Sequence, residues 1–193
     1  MIDEFKQKTQ LRIDQLRYFQ DCSNCQPLFR AISLMEESIK NGGKILVFGN
    51  GGSATQSSHF AAELVNKFYF ERRPLPGLAL VSDIANLTAI ANDSDYRFVF
   101  SRQLETLGKP GDVAMGLSTS GRSPNVLEAL SQGKKLGLQT IALCGKNTDC
   151  ITALGVDVIL SVPSTDTPTI QEMHLYFLHT MAEVLEKKFF NRS

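Results

Sequence analysis

Lys44-Ile-Leu-Val-Phe48, running directly into Gly49-Asn-Gly-Gly-Ser53, decides the fold. The short continuous apolar run is the pattern of a strand buried on both faces of a parallel sheet. The glycine turn after it opens a helix. The same grammar recurs downstream. Leu78-Ala-Leu-Val81 ends in Ser82-Asp83, Asp112-Val-Ala-Met-Gly-Leu117 ends in Ser118-Thr-Ser-Gly121, and Gln139-Thr-Ile-Ala-Leu-Cys144 ends in Gly145. Val156-Asp-Val-Ile-Leu-Ser161 is a fifth candidate strand. Helical periodicity fills the gaps at about 53–68, 83–91, 95–106, 122–136 and 168–189. Strands alternating with helices predict an α/β protein, a three-layer α/β/α sandwich around a five-stranded parallel sheet. Ligands in such sheets bind at the carboxyl ends of the strands, where the Gly- and Ser-rich turns fall.

Working outward, residues 2–20 are loosely helical, and 26–40 are amphipathic through Leu28, Phe29, Ile32, Met35 and Ile39 until Gly42-Gly43 stops them. A single domain over 1–193 is expected, with the helical segment 1–41 used in packing or oligomerisation. The 193 residues are 42% hydrophobic and 21% charged, a globular composition. Lys plus Arg and Asp plus Glu are 20 each, which argues against the basic footprint of a nucleic-acid binder. No apolar run approaches a membrane span and the N-terminus lacks a signal-peptide core, so a cytoplasmic protein is expected. Of the four cysteines, Cys22-x-x-Cys25 has no second pair and no nearby His to complete a zinc site. It is read as ordinary thiols beside a helix boundary.

Gly49-Asn50-Gly51-Gly52-Ser53 lets backbone approach a ligand and aims helix N–H groups at negative charge. It fits a dinucleotide fingerprint only loosely, because Asp83 lies about 30 residues on and starts a helix rather than standing about 20 residues on at a strand end. Ser118-Thr119-Ser120-Gly121-Arg122-Ser123 offers four hydroxyls in six residues at a second strand-to-helix turn. Capping explains one hydroxyl, not four; without the lysine of a P-loop, the loop reads as a cradle for a phosphorylated polyol. The helix after Ser53 places His59 and Glu63 on one face at i and i+4. The last helix carries Gln171, Glu172, His174 and His179, with His179 about 80° round from Gln171. Such groups can move protons near neutral pH or hold a divalent metal, or serve as surface and packing residues; His174, between Met173 and Leu175, reads as a packed or exposed helix residue rather than a ligand. Asn92-Asp93 can turn the chain or bond sugar hydroxyls.

Together, Gly49-Asn-Gly-Gly-Ser53, His59-Phe-Ala-Ala-Glu63-Leu, Ala89-Ile-Ala-Asn-Asp93, Ser118-Thr-Ser-Gly121 and Ile170-Gln-Glu-Met-His174 resemble the phosphoheptose isomerases, built on the sugar-isomerase (SIS) domain. The likeness runs in order from about residue 25 to 188. It implies the flavodoxin-like SIS fold and conversion of sedoheptulose 7-phosphate to D-glycero-D-manno-heptose 7-phosphate, the first step towards the heptose of lipopolysaccharide and related glycans. It implies a homotetramer with active sites between subunits, one zinc per subunit and no nucleotide cofactor. By the same resemblance Ser53, Ser118, Thr119, Ser120 and Ser123 form the phosphate and substrate loops, and Asn50, Gly51, Gly52, Asn92 and Asp93 line the sugar. His59, Glu63, Gln171 and His179 match the zinc positions, with Gln171 also facing substrate, Glu63 the base and His179 the acid.

Lys67 stands where many members carry Arg, and Pro168-Thr169 where Ala-Arg is common. The rival reading is a non-catalytic SIS protein of the type that associates with the bacterial replication initiator; that relative lacks the glutamate at the position of Glu63.

Overall fold

A computed structural model describes residues 1–190; the expected domain limit at 193 falls on 191–193, outside the described residues. All five expected strands form: β1 (Ile45–Gly49), β2 (Gly77–Ala79), β3 (Val113–Ser118), β4 (Gln139–Cys144) and β5 (Val158–Ser161). Every pairing is parallel, in the order β2-β1-β3-β4-β5. That is the doubly wound order of flavodoxin-like sheets.

Strand side chains alternate between two cores. Ile45, Val47, Val113, Met115, Leu117, Ile141 and Leu143 point to one face, covered by α2 (Cys22–Lys40), α3 (Gly52–Val65) and α8 (Thr167–Phe190). Leu46, Phe48, Ala114, Ala142 and Cys144 point to the other, covered by α4 (Ile84–Asp93), α5 (Ser101–Leu107) and α6 (Pro124–Lys135). The three expected layers are therefore present. The N-terminal helix α1 (Ile2–Gln20) buries no residue and is tied to α8 through Arg12 and Glu172, 2.6 Å apart.

Four departures of the elements from the periodicity have a clear physical cause. Helix α2 begins at Cys22 rather than 26, because Asp21 caps it by accepting from the Ser23 amide, and Pro27 in its second turn removes only one ladder bond. The helix expected over 95–106 is split into a 3₁₀ turn, Tyr96–Phe98, and α5. Burial of Val99 and Phe100 against the sheet, with the Phe100 ring 5.3 Å from that of Phe48, interrupts it. Helix α3 stops at Val65 instead of 68, because the Phe68 and Tyr69 amides bond the carboxylate of Glu186 on α8 rather than α3 carbonyls. The single turn α7 (Asp149–Thr152) carries too little periodicity to be anticipated.

Candidate active site

From β1 the chain crosses outward to β2 and then returns to β3 on the other side, so the switch point lies between β1 and β3. The register Gly49 to Leu117 sets the Asn50–Ser53 turn beside the Ser118–Ser123 loop. The serine loop is folded on itself. Ser118 Oγ lies 2.9 Å from Ser123 Oγ and 3.5 Å from Ser120 Oγ, and the Arg122 amide donates to Ser120 Oγ. Ser118 is buried, Thr119 and Ser123 partly so, and Ser120 is exposed, so the hydroxyls converge while one edge stays open. A compact hydroxyl and amide nest at the start of α6 suits a phosphate.

In the other turn, Asn50 is held by side chains that the sequence did not single out. Asn50 and Asn125 exchange two amide hydrogen bonds of 2.8 Å, and the Tyr96 hydroxyl donates to Asn50 Oδ1. The available signal was Asn125 itself, a polar residue beside Val126 on the apolar side of α6, where it is 2% exposed. Ser53 is buried at the start of α3, next to Gly51 and Gly52.

Helices α3 and α8 pack together and bring His59, Glu63 and His179 to one point. Glu63 Oε1 is 3.0 Å from His59 Nε2 and 3.5 Å from His179 Nε2, and the two imidazole rings are 5.3 Å apart. Burial pushes the Glu63 carboxyl up and the two imidazoles pull it back, with a net rise. A carboxylate poised above its usual range suits general-base work. Among the described residues, the His, Cys, Asp and Glu groups that could hold a metal meet here, with ligand atoms within 4.8 Å of one another, and not at Cys22-x-x-Cys25. Glu63 Oε2 is buried without a hydrogen-bond partner, and a bound cation would satisfy it. Two imidazoles and a carboxylate are a zinc-type donor set.

Among the described residues, Gln171 makes no hydrogen bond to this cluster. Its side-chain amide stands against Gly52, where a methyl would meet Nε2 at 2.5 Å, and its backbone carbonyl accepts from the Gln56 side chain. Asn92 and Asp93 form the exposed last turn of α4 and bond each other; among the described residues neither hydrogen-bonds the rest of the site. Lys67 pairs with Glu71. Pro168 and Thr169 open α8, where Thr169 donates to Asp166.

His174 is buried under α8 with Nε2 against the Cys144 carbonyl, and burial lowers its pKa to about 4. The unfolded chain takes that proton near pH 6.5 and the folded one refuses it, so stability falls as pH drops through this window, by about 2 kcal/mol at pH 5. Urea unfolding at pH 7.5 and 5 checks this, because His174→Gln flattens the contribution.

A family model described as the SIS domain matches residues 15–145. The phosphoheptose isomerase of Aliarcobacter butzleri is 48% identical over 163 residues, covering 84% of this chain and 86% of that one. Phosphoheptose isomerase 1 of Campylobacter jejuni is 49% identical, covering 81% and 83%. The solved phosphoheptose isomerase of Francisella tularensis superposes with a TM-score of 0.91 at 31% identity, over 96% of this chain and 98% of that one. That of Neisseria gonorrhoeae gives 0.85 at 36% identity, over 97% and 100%. With its parallel sheet, its serine loop and its His–Glu–His cluster, the chain belongs to the phosphoheptose isomerases of the SIS-domain family.

Proposed function

We infer that the chain is an aldose–ketose isomerase converting sedoheptulose 7-phosphate to D-glycero-D-manno-heptose 7-phosphate. The observation that carries this is Glu63, a partly buried carboxylate between two imidazoles, on a chain 48% identical to a phosphoheptose isomerase. The residues suit an enediol mechanism. A carboxylate at Glu63 removes a proton from C1. The C2 carbonyl oxygen gains a proton and the C1 hydroxyl loses one, exchanges within the competence of His179. Glu63 returns its proton to C2, leaving an aldehyde at C1. Ser118, Thr119, Ser120 and Ser123 hold the phosphate, with Ser53 beside them. Asn50, Gly51, Gly52, Asn92, Asp93 and Gln171 line the sugar. The non-catalytic alternative is not favoured, since Glu63 and His179 are both in place and the relatives above are named isomerases.

We assign one zinc per subunit to His59, Glu63 and His179, with Gln171 as a further ligand; when bound it supplies a Lewis acid to polarise the carbonyl. No nucleotide cofactor enters the scheme. The functional unit is a single SIS domain working as a homotetramer with active sites between subunits, with segment 1–41 at the contacts. The exposed Ile2, Phe5, Leu11, Ile13 and Leu16 on α1 support that assembly. Among the described residues no helix is long and apolar enough to cross a membrane. The role proposed is a cytoplasmic one, making heptose for lipopolysaccharide or related glycans.

Incubation with sedoheptulose 7-phosphate, followed by NMR, yields an isomeric aldoheptose 7-phosphate; tight binding without conversion overturns the isomerase reading. Dialysis against a chelator lowers the rate by about 10-fold or more and added zinc restores it; full activity after complete metal removal overturns the zinc assignment. Light scattering gives about four times 21.3 kDa, and a monomer rules out shared sites.

A further inference from the structure

Behind the His–Glu–His cluster lies a second ionic group to which the chemistry above assigns no role. The side chains of Arg72 and Glu186 are 1% and 0% exposed and meet at 2.8 Å. Replacing a buried pair of this kind by apolar residues often costs a fold nothing, so its presence calls for another reason. Its bonds go almost entirely to the backbone around the cluster. Arg72 Nη2 donates to the carbonyl of Glu63 at 2.7 Å and Nη1 to that of Leu64 at 2.8 Å, which closes the C-terminal end of α3 with a positive charge. Glu186 accepts from the amides of Phe68 and Tyr69, each at 2.7 Å. The Phe68 ring then lies 5.8 Å from the ring of His179. Glu186 follows His179 by two turns of α8 on nearly the same azimuth. Phe190 covers the guanidinium, 5.4 Å from its ring centre. Burial pushes the Glu186 carboxyl up, but the two amides and Arg72 outweigh it and the net shift is downward, so the group stays ionised.

We propose that the Arg72–Glu186 clamp positions the isomerisation machinery, fixing Glu63 by its own carbonyl and His179 through the ring of Phe68. These are positioning residues: neither touches substrate. Serines on another loop hold the phosphate, so loosening the clamp alters the rate and leaves substrate affinity alone. The same loosening separates the donor atoms of His59, Glu63 and His179 and weakens their hold on a metal. The kinetic half of this rests on the isomerase reading; the metal half does not.

Arg72→Lys keeps the charge but cannot span Glu186 and two carbonyls at once. In the full chain, below its melting transition, kcat for sedoheptulose 7-phosphate falls about 10- to 100-fold with KM within about a factor of two, and zinc, titrated against a fluorescent chelator, binds about 10-fold more weakly. A folded variant with wild-type kcat and wild-type zinc affinity overturns the proposal, as does a raised KM with kcat unchanged. Should the wild type itself fail to turn over the sugar, the isomerase reading fails, and the zinc titration alone decides the clamp. Should Arg72→Lys not fold, Phe68→Leu keeps the amide bond to Glu186 and removes the ring beside His179. Lower kcat at constant KM, or weaker zinc binding, then supports the clamp, and wild-type values of both overturn it.

Discussion

Glu63→Gln lowers kcat for sedoheptulose 7-phosphate by about 1,000-fold and leaves KM within a few-fold of the wild type, as expected when a positioned general base is removed. The substitution keeps the shape and polarity of the side chain, so α3 remains intact. It removes the charge that burial and the two flanking imidazoles hold in balance. The serine loop proposed to take the phosphate belongs to β3 and α6, and makes no hydrogen bond to Glu63 among the described residues. Binding and turnover should therefore separate. An amide is also a poorer metal ligand than a carboxylate, so zinc affinity falls as well. Steady-state kinetics at saturating zinc distinguish the two roles. If excess zinc restores the wild-type rate, Glu63 serves as a ligand only, and the proton is carried by another group.

Much of this site was legible because the topology is local in sequence. Each strand of the parallel sheet announces itself as an apolar run, and the turn at its carboxyl end follows at once. The switch point that aligns Asn50 with Ser118 then follows from strand order. The i and i+4 spacing placed His59 beside Glu63, and a helix contact added His179. What stayed hidden depends on distant packing. Nothing local in Arg72 or Glu186, 114 residues apart, marks them as a buried pair, because exposed arginines and glutamates look the same in sequence. Tyr96 was folded into an expected helix, although Asp95 caps a 3₁₀ turn there that aims its hydroxyl at Asn50. Asn92 and Asp93 matched a motif, yet a motif does not say what their side chains meet, and in this chain they meet each other. Contacts supplied by a second subunit would be equally invisible to periodicity.

Gly121→Ala damages the serine loop from within, by two separable effects. Gly121 has φ +66°, a left-handed conformation that costs an L residue roughly 1–2 kcal/mol. A methyl there would also stand 2.0 Å from the Asn147 carbonyl oxygen, a backbone atom that no rotamer change can move away. Relief requires shifting either the Ser118–Ser123 turn or the segment after β4. That segment is tied back to the loop, since the Gly145 amide donates to the Thr119 carbonyl. The clash therefore spreads to the hydroxyls of Ser118, Ser120 and Ser123, the proposed phosphate ligands. The total destabilisation is about 3–5 kcal/mol, and KM rises about 100-fold, equivalent to roughly 2.8 kcal/mol of lost binding. Gly155→Ala separates the two effects. Gly155 has nearly the same φ, +65°, but nothing lies within 4 Å of an added methyl, so it should lose only the conformational cost and keep its KM. Gly52→Ala provides the opposite contrast, because its methyl meets the movable end of Gln171 rather than backbone, and it should perturb turnover more than folding. Denaturant melts and KM values for the three variants test the assignment. If Gly121→Ala keeps a wild-type KM while losing stability, the serine loop is not where the phosphate binds.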